Sequence, residues 1–235
     1  MSKAARNYAA YAVLGACLIA VHFIIAAFPG ATRSASQAAV FSWLGLAIIV
    51  PLGFAGVLFL NLTPLRGLWD AELSTSAKVW RPLTIGVLIG ALMTGTDMLT
   101  GWTRIVAARM HLPSIHIDFP LSVPIYLGGA ILVSVLYFLT LLPFLYWLIA
   151  VRLRQNRRES PTFWLIAAPF VLVEPLTNRP GGFGELDWRM LAGLLEDVLL
   201  NFTQIWFLRS AGFVAAVLVR VGFYAIWHVL YGLIS

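Results

Sequence analysis

Seven stretches of this chain are apolar and long enough, or nearly so, to cross a bilayer, and that leaves little freedom in its fold. They cover about 8–28, 38–61, 83–107, 121–151, 161–178, 190–208 and 211–234, against the roughly 20 residues a helical span needs. Inside hydrocarbon the backbone must satisfy its own N–H and C=O groups, so segments of this length are helices. The expected class is all-α: a polytopic transmembrane helical bundle of about seven spans (six to eight), with residues 1–235 forming a single transmembrane domain. At 60% hydrophobic and 11% charged residues, with mean hydropathy +0.88, a soluble domain would lack the polar side chains to cover its surface. Two segments are irregular. The third is interrupted by Thr94, Thr96, Asp97, Thr100 and Thr103, which predicts that it faces other helices rather than lipid. The fifth is short and holds Pro169 and Pro175, which predicts a broken or half-buried helix.

The net charge of +6 would suggest nucleic acid in a soluble protein. Here the positive-inside bias explains it, and no nucleic-acid partner is expected. With the N-terminus inside, Lys3, Arg6, Arg66, Lys78, Arg81, Arg152, Arg154, Arg157, Arg158 and Arg209 fall on the inner side. Arg33, Arg104, Arg109, Arg179 and Arg189 fall outside. That asymmetry predicts a cytoplasmic N-terminus and an outward C-terminus; the expected location is the bacterial inner membrane. The run Tyr8–Phe28 is too long for a signal-peptide core and no small-residue cleavage motif clearly follows, so it reads as a retained first helix. The single cysteine, Cys17, lies in an apolar run and excludes a disulfide framework. The turn-rich loop from Arg179 to Asp187 has glycines at no phosphate-binding spacing.

A charge inside a span costs at least about 2.5 kcal/mol, so the ionisable residues there are the functional candidates: His22, Asp97, Glu174, Glu196, Asp197, Arg220 and His228. His22 reads as interfacial. Asp97 reads as capping a break in the third segment or bonding to its threonine neighbours. Glu196 and Asp197 sit where either a solvated helix start or a site is possible, and His228 reads as a packing residue or a ligand. A bis-histidine haem would need both His22 and His228 and has no other support; no cofactor is expected. Glu174 and Arg220 are too far from segment ends to reach water easily and carry opposite signs. Paired, they are tolerable where each alone is not, which predicts an ion pair between the fifth and seventh spans.

Three stretches carry a family resemblance. The first is Tyr126-Leu-Gly128-Gly129 continuing to Pro143; the second runs from Phe163 through Phe170 to Glu174. The third runs from Leu200 through Gly212 to Tyr224. In order, spacing and flanks the chain resembles the CPBP family, the CAAX protease and bacteriocin-processing intramembrane metalloproteases. The resemblance covers residues 83–234 as a CPBP-like core, leaving 1–82 as two N-terminal helices and a connecting loop. In that family paired glutamates and histidines meet within the membrane to hold a metal and activate water. Here Leu132-Val133 or Val133-Ser134 stands where the glutamates belong, Tyr137 or Phe138 replaces the arginine, Glu174 and Arg220 occupy histidine positions, and Tyr224 replaces Asn or Asp. No acidic residue lies between Asp118 and Glu159.

The resemblance therefore implies a degenerate relative without the metal-binding residues. The expected function is a non-catalytic scaffold or binding subunit with a membrane-protein partner, no metal and no catalytic residue, in which Glu174 and Arg220 replace the metal as the link between helices. The alternatives are an active metal-dependent endopeptidase with a rearranged site, drawing on His228, Glu174, Glu196, Asp197 and Asp97 or on His111, His116 and Asp118 in an external loop, and a small membrane transporter using Asp97, Glu174 and Arg220.

Overall fold

The computed structural model describes residues 1–28, 30–32, 35–153, 160–177 and 188–234. The Arg179–Asp187 loop lies outside the described residues, as do Arg154, Arg157 and Arg158 of the central basic loop. Six helices are long and apolar enough to cross a membrane: α1 (Lys3–Ala27), α3 (Trp43–Asn61), α4 (Ser76–Thr100), α6 (Ser122–Leu153), α8 (Trp188–Ser210) and α9 (Phe213–Leu233). A shorter apolar helix, α7 (Ser160–Thr177), stands between α6 and α8. The short helices α2 (Ala35–Val40) and α5 (Trp102–Arg109) complete the described chain, which contains no strand among the described residues.

Local chemistry sets the helix ends. Ser2 and Ser42 accept from the free N–H groups of Ala5 and Gly45, each at 3.2 Å, which caps α1 and α3. Gly101, at φ +63°, takes the left-handed conformation open to glycine and ends α4. The third segment is therefore not one span over 83–107: it stops at Thr100 and α5 follows. Nor does it face inward all round. Leu88, Leu92 and Leu99 are exposed on one side of α4 while Asp97 is buried on the other. The prolines of α7 do not break it, since the helix is continuous past both Pro169 and Pro175.

The helices alternate in direction, and the connections at one end are tied together. Asn7 of α1 donates to Asn61 at 2.6 Å and accepts from the Leu68 N–H at 2.9 Å. The Gly67 and Leu68 carbonyls in turn accept from Phe213 and Val214, satisfying the start of α9. Lys3, Arg6, Arg66, Lys78, Arg81, Arg152 and Arg209 all belong to this end of the bundle, the basic end.

The core has two parts. One gathers α1, α3, α6 and α7; the other is built on α4; α8 and α9 contribute to both. The contact of α9 with α4 is a close backbone approach. A Cβ at Gly86 or Gly90 would run into the carbonyl oxygens of Val219 or Phe223, and one at Gly222 into that of Leu83. Gly86-x-x-x-Gly90 is thus a small-residue seam of the kind that lets membrane helices pack by backbone contact. A similar approach joins α3 to α6, where Gly56 faces the Leu139 carbonyl and Thr140 donates to the Leu52 carbonyl at 3.1 Å.

Candidate functional site

The central helix α9 carries Arg220 into the middle of the bundle, where the side chain is 1% exposed. A guanidinium has five N–H donors and no acceptor, and each donor meets an oxygen. Nε donates to Gln204 at 2.9 Å. Nη1 donates to Glu174 Oε1 at 3.2 Å and to the Tyr224 hydroxyl at 3.1 Å. Nη2 donates to Glu174 Oε2 at 3.2 Å and to Asn201 at 2.6 Å. The carboxylate of Glu174 on α7 therefore faces the guanidinium fork with both oxygens, the bidentate geometry that makes such pairs strong.

The neighbours are satisfied as well. Asn201 donates to Glu174 Oε2 at 3.0 Å and lies 3.5 Å from the Val171 carbonyl. Pro175 lacks the N–H that would otherwise have closed the helix onto that carbonyl, so the proline beside Glu174 supplies part of the site's acceptor set. Gln204 donates to Ser134 Oγ at 3.2 Å and to the Ala216 carbonyl at 3.0 Å. Glu174, Asn201, Gln204, Ser134 and Arg220 are all buried. A half-satisfied network of this kind would be worse than an apolar core, whereas a complete one fixes the helices in a single arrangement.

The structure brings together Glu174, Arg220 and Tyr224 from the sequence candidates with Ser134, which one register of the first motif puts at a glutamate position, and adds two residues that the sequence reading does not single out, Asn201 and Gln204 on α8. A signal existed for the last two. Amides three residues apart in the apolar run Val198–Leu208 share one helix face, and such a face must meet polar partners. Phe138 is buried in the core, while Tyr137 reaches the Thr177 hydroxyl at the surface, 3.4 Å away.

A second polar cluster occupies the other end of α9. His116 and His228 approach at 3.1 Å between their Nδ1 atoms, so one proton lies between two imidazoles. His228 stacks on Tyr126 at 4.1 Å and meets the Tyr224 ring edge-on at 5.0 Å. Asp97 accepts from the Thr103 N–H at 2.8 Å, from the Thr103 hydroxyl, and from the Tyr231 hydroxyl at 2.7 Å. It thereby caps α5 and ties the break after Thr100 to the end of α9. Burial pushes the His116 imidazole down to about 4, against a pull in the other direction from Asp97. His116 is 2% exposed, which corrects the expectation of a solvated loop; His111 and Asp118 are exposed. His22 lies apart on α1, with Nδ1 2.6 Å from the Phe41 carbonyl and its ring against Trp43.

Glu196 is buried rather than solvated: the Thr96 hydroxyl of α4 donates to one of its oxygens. Asp197 is half-buried. Among the described residues no group of three or more His, Cys, Asp or Glu side chains is placed to hold a metal ion. Between α6 and α9 an apolar groove of about 380 Å³, lined in part by Tyr126, Leu127, Val221 and Tyr224, ends against the tyrosine that bonds Arg220.

No protein-family model, no curated protein and no solved structure matches the chain. The molecule is defined by its architecture: an integral, multi-pass bundle of apolar helices around a buried, fully hydrogen-bonded charge pair.

Proposed function

We propose that this chain is a non-catalytic membrane protein on the plan of the CPBP intramembrane metalloproteases, working as a scaffold or binding subunit for a membrane-protein partner. In this reading it lies in the bacterial inner membrane with its N-terminus in the cytoplasm. One observation carries the proposal: all five N–H groups of Arg220 are used, by Glu174, Tyr224, Asn201 and Gln204. Glu174, Arg220 and Tyr224 are the positions where the resemblance would put reactive groups, and Ser134 is another in one of the two registers of the first motif. Here they are linked, directly or through Gln204, in one network whose centre is a permanent cation that cannot ligate a metal. The fixed positive charge takes over the electrostatic role of a metal ion and links α7, α8 and α9. It offers neither an open coordination position nor an activated water. The groove between α6 and α9 supports association within the membrane over turnover, because it is apolar and ends on Tyr224.

The test is the metal content of the purified detergent-solubilised protein, counted per chain beside a relative that keeps the glutamates and histidines. The expected result is near-zero metal here and about one ion per chain in the relative. A stoichiometric ion in this protein would overturn the reading and make Glu174, His228 and Asp97 the first ligands to replace.

A further inference from the structure

At the basic end of the bundle, between the first turns of α4 and the last turns of α8, the surface opens into a groove of about 610 Å³. Its floor is mostly apolar and includes Ile85 from α4 and Phe207 from α8. Trp80 and Trp206 stand at its sides, 60% and 53% exposed, and indoles at such positions settle at the level of lipid headgroups. The polar groups are Arg81 and the hydroxyls of Ser76, Thr84 and Ser210, the last of which already donates to the Trp206 carbonyl at 2.8 Å. Neighbouring cations are already engaged. Arg66 pairs with Asp70, Lys78 donates to the Asp70 carbonyl and lies over Trp69, and Arg209 lies over Phe163. Among the described residues Arg81 is exposed and makes no hydrogen bond or ion pair, and Glu72, on the loop ahead of the groove, forms none with it.

A single unused guanidinium, hydroxyl donors beside it, two interfacial indoles and an apolar floor together define an amphipathic ligand with one negative charge at its polar end. The geometry points to a binding site for one monoanionic glycerophospholipid, its phosphodiester on Arg81 and its acyl chain along Ile85 and Phe207. A guanidinium matches two phosphate oxygens at once, and basic pockets between membrane helices are where anionic headgroups collect. A bare phosphate would use Arg81 and leave the floor empty; a neutral phospholipid would use the floor and bring its own cation against Arg81. The site is independent of the scaffold reading and stands or falls without it.

The experiment titrates the full-length protein in detergent with dioleoyl phosphatidylglycerol, dioleoyl phosphatidylcholine and inorganic phosphate, following the unfolding midpoint and the lipid retained in native mass spectrometry. Phosphatidylglycerol is expected to raise the midpoint saturably with one lipid retained, and the other two to leave it unchanged. Arg81→Gln should weaken the lipid about tenfold and Arg81→Lys less, because Lys keeps the charge but not the fork. Arg152→Gln, on the same face but outside the groove, should change it by less than about twofold. Equal stabilisation by phosphatidylcholine, full reproduction of the effect by phosphate, or equal losses in Arg81→Gln and Arg152→Gln would each overturn the assignment. Should Arg81→Gln not fold, the three wild-type titrations still decide it.

Discussion

The two polar clusters on α9 solve the same problem in opposite ways. Around Arg220 one counter-charge and a set of uncharged polar groups come from α6, α7, α8 and α9, and leave no donor of the guanidinium unused. Around His228 the partners are a second imidazole and a set of aromatic rings, with Asp97 held apart by Thr103 and Tyr231. The first cluster is buried within the bundle, so a charge persists there only with its counter-charge and a full set of hydrogen bonds. The second lies at the end of the helix and under a loop, where neutral imidazoles can pair without a counter-ion. Depth in the bundle decides which solution holds.

The largest effect should come from breaking the first. Arg220→Ala leaves Glu174 as an isolated buried carboxylate and should cost about 3–5 kcal/mol, whereas Glu174→Gln with Arg220→Gln keeps polar groups for Asn201 and Gln204 and should be milder. Unfolding midpoints of the single and double variants in detergent measure this. Equal, near-wild-type midpoints would mean that the pair does not hold the helices together.

A smaller and pH-dependent effect belongs to the second cluster. His116 falls from its ordinary 6.5 to about 4 because burial disfavours its charged form. Between those values the unfolded chain binds more protons than the folded one. Its contribution is therefore complete above about 6.5 and is lost as the pH drops towards 4, amounting to about 3–4 kcal/mol at most. Unfolding followed from pH 7.5 to 4.5 should show this slope, and His116→Gln should make it shallower, with the neighbouring His228 left in place. Replacing Arg220 should leave the slope in place, since the partners of its guanidinium do not include His116; a slope that vanished with Arg220 would show the two clusters to be one.

How much of this was legible in the sequence differs between the same regions. Arg220 and Glu174 announce themselves, because a charge in an apolar run has so few explanations, and the helical class follows from the length of the runs. Asn201 and Gln204 do not stand out, because uncharged polar residues are common in membrane helices and gain meaning only when their partners are known. The Gly86–Gly90 seam is visible as a spacing, but its partner Gly222 belongs to a helix more than 130 residues away in the sequence, and no local pattern joins them. His116 was hidden for a different reason. A histidine between two prolines reads as a solvated loop until the end of α9 is seen to cover it. The end of α4 illustrates the limit of apolar counting: hydropathy runs on past Thr100, while Gly101 and the Asp97 cap stop the helix there.

The smallest predicted effect separates hydrogen bonding from charge within the second cluster. Asp97 accepts from Thr103 twice and from Tyr231 once. The Thr103 bonds are local to the break and cap α5; the Tyr231 bond spans from α4 to the last turn of α9. Tyr231→Phe removes that one donor and leaves the ring, with its stacking on Trp227 at 5.3 Å. The carboxylate keeps two donors, so the loss should be about 1 kcal/mol, with the slope between pH 6.5 and 4 unchanged because the hydroxyl bonds Asp97 and not His116. Tyr231→Leu removes the ring as well and should cost more. Equal losses would assign the contact to the hydroxyl alone. A changed slope in Tyr231→Phe would mean that Asp97, once freed, turns its charge towards His116 and that the tyrosine holds the acid and the imidazoles apart.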